Sequence, residues 1–308
     1  MLRDEQEKQK NEFVQNGACL GSVVKNKRKL EDCLKMDFFG KIAAELKDKK
    51  LFLFDMDGTI YEEERVFDGT RQLLQYIEEI GGHYVFITNN SSKSVVDYVE
   101  KMRRLNLRAE EENFFTSAQA AVLYLKQNYP GRKVYCQGTR SFFQELQSEG
   151  IDVTEDARND IDVVLVGFDT ELTSQKVRKT CQLLLTTQVV YLATNPDLRC
   201  PVSFGFIPDC GAICKMIECA TNRKPLYIGK PERIMVDIVR EKFGYKAEET
   251  VVVGDRLYTD IATGLNSGVT AVCVLTGEAT AEEISRGEIK PDYTYQSVKE
   301  LYKELVIA

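Results

Sequence analysis

Asp55 and Asp57 stand two residues apart, directly behind four apolar residues, in "LFLFDMDGTI" at 51–60. Residues two apart on a strand point the same way, so the two carboxylates can share one face of a strand end. Like charges about 4 Å apart at an effective dielectric near 20 repel by roughly 4 kcal/mol, which calls for a cation or a shared proton. A third carboxylate, Asp255 in "VVVGDRLYTD" at 251–260, follows another apolar run and adds to the repulsion unless a metal sits among them. Hard oxygen ligands with room for water favour magnesium.

The polar residues around these carboxylates suit a phosphoryl group. Gly58 lets the backbone approach an anion closely, Thr88 and Asn89 offer hydrogen-bond donors after "YVFI", and Lys230 after "LYIG" brings a fixed positive charge. Metal and lysine together would let an anionic carboxylate approach an anionic phosphate. His83 is the only histidine, which leaves almost no material for histidine acid–base catalysis. Neither a GxxxxGK[ST] loop nor a GxGxxG after a strand is present, so the nucleotide-loop folds lose their signature.

These residues need elements that bring them together. From Leu51 onward, apolar runs recur as "LFLFD", "HYVFITNN", "KVYCQG", "DVVLVGFD", "QVVYLATN", "PLYIGK", "TVVVGD" and "VTAVCVLTG". Helical patterns separate them at 68–80, 93–105, 116–128, 139–149, 173–187, 210–221, 232–243 and 258–267. The alternation predicts an α/β fold, a doubly wound parallel sheet covered on both faces. Ligands in such sheets bind beyond the carboxyl ends of the strands, so Asp55, Thr88, Asn89, Lys230 and Asp255 are expected to converge on one site.

Taken in order, "DMDGT" at 55–59, "ITNN" at 87–90, "GKP" at 229–231 and "GDRLYTD" at 254–260 resemble the four motifs of the haloacid dehalogenase superfamily. The resemblance is closest to the branch of NagD and the para-nitrophenylphosphatases and covers roughly residues 50–300. It implies a Rossmann-like core in which Asp55 is the nucleophile forming an aspartyl-phosphate. Asp57 would be the general acid that protonates the leaving oxygen and then activates water. Thr88 and Asn89 would hold phosphoryl oxygens and Lys230 would neutralise charge around Asp55. The implied magnesium ligands are Asp55, the main-chain carbonyl of Asp57, and Asp255. Asp260 would orient Lys230 or a water on the metal.

Spacing adds an inserted domain. Only about 30 residues lie between Asp57 and Thr88, room for one helix and a strand, whereas about 140 lie between Thr88 and Lys230. The expected organisation is an N-terminal extension at 1–36, a catalytic core at 37–130 and 224–308, and an inserted α/β cap at 131–223. A cap excludes water and macromolecules, which favours small phosphomonoesters such as sugar phosphates or nucleoside monophosphates. Asn195 in "ATNPDLRCP" at 193–201 is expected near the substrate, and the resemblance implies dimerisation through the cap.

The whole chain bounds the alternatives. Its 308 residues carry 41 Lys and Arg against 48 Asp and Glu, with no long cationic block, which argues against a nucleic-acid polymer or a membrane surface as partner. No uninterrupted apolar run approaches membrane-spanning length, and the first residues lack a secretory apolar segment, so a cytoplasmic protein is expected. Nine cysteines are scattered without CxxC pairs and read as reduced core residues, including Cys210 and Cys214. Further helices are expected at 25–35 and 37–48, and "YEEER" at 61–65 reads as a solvated loop. The leading function is therefore a magnesium-dependent phosphatase. A phosphotransferase or mutase would use the same aspartyl-phosphate, but mutases of this superfamily place a helical cap between the first two motifs, where this chain has no room. A non-catalytic binding protein would have no need of Asp57.

Overall fold

A computed structural model of the chain describes residues 36–91, 95–202 and 204–307. Its first strand, β1 (Leu51–Phe54), shows why the alternation reads as a parallel sheet: Phe52 and Phe54 enter one apolar cluster, Leu51 and Leu53 the cluster on the opposite face, and all four are fully buried. A short hairpin follows, β2 (Tyr61–Glu62) with β3 (Arg65–Val66), then helix α1 (Thr70–Glu79), β4 (His83–Thr88), α2 (Val95–Arg104), β5 (Phe114–Thr116) and α3 (Ser117–Asn128).

Next come β6 (Val134–Gln137), α4 (Arg140–Ser148), β7 (Val153–Thr154), β8 (Val163–Val166), α5 (Ser174–Thr186), β9 (Val190–Ala193), the hairpin β10 (Arg199–Val202) and β11 (Gly205–Pro208), α6 (Cys210–Thr221) and β12 (Leu226–Tyr227). The chain closes with α7 (Ile234–Phe243), β13 (Thr250–Gly254), α8 (Ala262–Ser267), β14 (Thr270–Val274), α9 (Ala281–Arg286), β15 (Tyr293–Tyr295) and α10 (Val298–Ile307).

Two parallel sheets result. The larger has the order β15-β14-β13-β1-β4-β5, so the strand order reverses between β1 and β13, the point at which a doubly wound sheet opens a crevice for ligands. Asp55 follows one of these two strands and Asp255 the other. The smaller sheet, β12-β9-β8-β6-β7, lies wholly between β5 and β13 in sequence. Helix α3 joins the two: its Ala118, Ala121 and Leu125 share one buried cluster with Leu53 and Ile87 of the large sheet and Leu165 and Leu192 of the small one.

Several expectations need correcting. The strand preceding Lys230, β12, pairs with β9 in the small sheet, so Lys230 reaches the site from that sheet and the inserted sheet extends past residue 224. Of the helix expected over 37–48, only a short 3-10 turn at Ala44–Asp48 forms. Asp37 explains the loss: its Oδ1 accepts from the Phe39 and Lys41 N–H groups and its Oδ2 from Thr294, offering the backbone an alternative to a helix. The helix expected at 25–35 lies outside the described residues. "YEEER" forms the β2–β3 hairpin, with Glu62, Glu63 and Glu64 nonetheless exposed. Cys210 and Cys214 are buried in α6, as expected of core residues. Among the described residues, no helix is long and apolar enough to cross a membrane.

Candidate active site

Asp55 sits one residue beyond β1, its N–H still donating to Val253 of β13 at 2.9 Å. The chain then turns sharply, with Ile60 N–H donating to the Met56 carbonyl at 2.8 Å and Gly58 N–H to the Tyr61 carbonyl at 2.8 Å. Gly58 has φ +88°, and a Cβ there would lie 2.6 Å from Asp255 Oδ2, so the position demands glycine on both conformational and steric grounds. Because β1 stops at Phe54, the two-residue strand period does not extend to Asp57. Its carboxylate leaves the cluster and lies 3.5 Å from Lys101 on α2, with the side chain 59% exposed.

Asp55, Asp255 and Asp260 offer oxygen atoms that all lie within 4.8 Å of one another. Asp255 follows β13 and is 2% exposed; its Oδ1 accepts from the Thr59 hydroxyl at 3.2 Å and its Oδ2 from Glu278 N–H at 2.8 Å. Asp260 is carried on a π-helical turn at Leu257–Ile261, where Arg256 N–H donates to its Oδ2 at 3.1 Å. Lys230 lies between two of the carboxylates, its Nζ 2.5 Å from Asp55 Oδ1 and 2.7 Å from Asp260 Oδ1.

The electrostatics follow from burial. Burial, reinforced by the charges of Asp55 and Asp260, pushes the Asp255 carboxyl up to about 7. Burial and Asp55 push Asp260 up to about 6, against the pull of Lys230. Burial alone would lower the Lys230 ammonium, but Asp260 and Asp55 outweigh it and hold the charge firmly in place. Three carboxylates share the pocket with the Lys230 ammonium, bound to Asp55 and Asp260, and with the nearby Arg256 guanidinium, and the paired oxygens of Asp55 and Asp255 are a donor set that fits a hard divalent ion.

Thr88, at the end of β4, is buried and its hydroxyl accepts from Asn90 N–H at 3.2 Å. The side chains of Asn89 and Asn195 are engaged by protein partners. Asn89 bonds to both main-chain polar groups of Lys230 and to Asp197 Oδ2. Asn195 is fully buried, accepts from Thr194, and donates to Asp197 and Asp209 at 3.1 Å each. Their place is to tie the β4 end, the loop after β9 and the start of α6 together. The residues to which the sequence assigns no role at the site are Asp209, Arg256, Glu278 and Lys101. Asp209 had a legible signal, since it stands as N-cap in "PDCGAI" ahead of α6. Glu278 contributes a backbone N–H, which no residue type announces.

Known proteins resemble this chain in sequence and fold. The family model described as haloacid dehalogenase-like hydrolase matches residues 52–152, and the related HAD-hydrolase-like model matches residues 227–301. An acid sugar phosphatase of Staphylococcus aureus (strain MRSA252) is 32% identical over 260 residues, 84% of this chain and 99% of that protein. The crystal structure of a 4-nitrophenylphosphatase from Thermotoga maritima is 37% identical, with a TM-score of 0.80 over 85% of this chain and 99% of its own. NagD from Escherichia coli K-12 is 30% identical, with a TM-score of 0.76 over 82% of this chain and 98% of its own. The chain belongs to the haloacid dehalogenase-like hydrolases, in the branch of NagD and the 4-nitrophenylphosphatases.

Proposed function

We propose that the protein is a magnesium-dependent phosphatase that hydrolyses small phosphomonoesters through an aspartyl-phosphate on Asp55. The observation that carries this reading is the clustering of Asp55, Asp255 and Asp260 at the switch point of the large sheet, with the Lys230 ammonium bound to Asp55 and Asp260. It is supported by relatives named acid sugar phosphatase and 4-nitrophenylphosphatase, which the chain matches over nearly their full length.

Asp55, only partly exposed, has one carboxylate oxygen on Lys230 and would direct the other at phosphorus. Its oxygen forms the new bond to phosphorus as the ester P–O bond breaks, and the electron pair departs on the leaving oxygen. Asp57 supplies the proton to that oxygen and takes one back from the water that cleaves the acyl phosphate. Lys230 holds a compensating charge beside the nucleophile, and Asp260 anchors Lys230 from the far side. Asp55 and Asp255, with the main-chain carbonyl of Asp57, would hold the magnesium ion, which supplies charge neutralisation for the phosphoryl oxygens. Read as a cap, the small sheet would admit small esters, of which sugar phosphates lead because of the staphylococcal relative. The cysteines of the described residues are all free thiols, which supports a cytoplasmic setting.

Phosphate release from para-nitrophenyl phosphate tests the reading. It is expected with magnesium, and it should vanish with EDTA and in Asp55→Asn. Release that persists in either condition would overturn it.

A further inference from the structure

Helix α2 brings Lys101 to the catalytic turn, and nothing in the mechanism above uses it. Lys101 Nζ is 3.5 Å from Asp57 Oδ1 and 3.7 Å from the centroid of the Tyr61 ring. Tyr61 is fully buried, and its carbonyl accepts from Gly58 in the turn that carries Asp57, so the ring is a fixed platform for the ammonium. The Lys101 side chain is only 17% exposed. A second contact from the same helix, Arg104 to Glu64 at 3.8 Å, holds the hairpin that Tyr61 opens. The surroundings are asymmetric: the cation is pinned against an aromatic face, whereas the carboxylate beside it stands more than half in solvent.

We infer that Lys101 is a positioning residue for the general acid: seated on Tyr61, its ammonium holds the Asp57 carboxyl group in the orientation from which, when protonated, it gives its proton to the leaving oxygen. The inference rests on the phosphatase reading. Proton transfer needs the acid within hydrogen-bond reach of the leaving oxygen, and the Lys101 ammonium is one of the groups that hold Asp57 on that line. Loss of the anchor should therefore matter in proportion to how much the leaving group needs a proton.

Two esters of similar shape separate this from a structural role. para-Nitrophenolate departs without a proton, whereas the more basic phenolate needs one. The measurement is kcat/KM for para-nitrophenyl phosphate and phenyl phosphate in the wild type, Lys101→Met and Lys101→Arg, with thermal unfolding as a folding check. Lys101→Met should lose about tenfold more activity on phenyl phosphate than on para-nitrophenyl phosphate, a modest part of what general acid catalysis contributes. Lys101→Arg, which keeps a cation over the ring, should restore the wild-type ratio to within about threefold. If Lys101→Met does not fold, Lys101→Gln reads the same ratio. Equal losses on both esters, or no loss on either, would overturn the inference while leaving the phosphatase reading standing. Absence of wild-type activity on both esters would remove that reading and the inference together.

Discussion

The side-chain amide of Asn89 is closed onto the main chain of Lys230: Oδ1 accepts from the Lys230 N–H at 2.8 Å, and Nδ2 donates to the Lys230 carbonyl at 2.9 Å. The same Nδ2 lies 2.8 Å from Asp197 Oδ2. A residue at the end of a large-sheet strand thus holds the backbone of a lysine delivered from the small sheet, and the ammonium of that lysine sits between Asp55 and Asp260. Asn89→Ala leaves buried partners unsatisfied and frees Lys230 to shift. Stability to urea should fall by about 2 kcal/mol, and kcat/KM by at least roughly tenfold. A variant with wild-type kinetics would show that the clasp does not position Lys230.

Gly58→Ala should be far more damaging than its size indicates. The added methyl must occupy a left-handed backbone position and lie 2.6 Å from Asp255 Oδ2. The turn and the carboxylate cannot both stay in place, so magnesium affinity and activity should drop together by about a hundredfold. Isothermal titration with magnesium checks this, and unchanged affinity would contradict the packing described.

Magnesium binding should release protons in a pH-dependent way. With Asp255 raised to about 7 by burial and its acidic neighbours, the metal-free site holds a proton below that pH, and the ion must displace it. Affinity should therefore weaken as pH falls from 7 to 5.5, with about one proton released near pH 6 and little above pH 8. Calorimetry in buffers of different ionisation enthalpy measures the release; a flat profile would count against a buried, protonated Asp255.

Glu145, on α4 and away from the crevice, offers a stability test. Burial, with a contribution from Glu149, raises its carboxyl to about 7. The folded form then binds the proton more tightly than the unfolded chain, whose carboxyl titrates near about 4.3, so stability is lost as pH rises from about 4 to 7 and stays level above. Glu145→Gln removes that loss. It should be more stable than the wild type by up to roughly 3 kcal/mol at pH 8 and show no advantage at pH 4; thermal unfolding at the two pH values checks it.

Much of this arrangement was legible from residue order because the informative positions are apolar runs that end in a polar residue. Burial on both faces of β1 is written in "LFLF", and Asp55 and Asp255 stand where a doubly wound sheet places ligands. What stayed hidden depends on partners remote in sequence. That the Asn89 side-chain amide closes on Lys230, 141 residues away, is written nowhere near Asn89 in the sequence. Lys230 looks like the end of a core strand because β12, two residues long, carries no mark of which sheet it will join. Lys101 reads as one cation of a solvated helix face, and only the buried ring of Tyr61 beneath it distinguishes it from its neighbours.

The central claim is that Asp55 becomes phosphorylated. Acid quenching of the enzyme during turnover of a radiolabelled phosphomonoester with magnesium, followed by digestion and peptide mapping, tests it most directly. Label that is stable to acid, labile to base, confined to the peptide holding Asp55 and absent from Asp55→Asn is the predicted result. Turnover without any protein-bound label, or label on a different peptide, would contradict it.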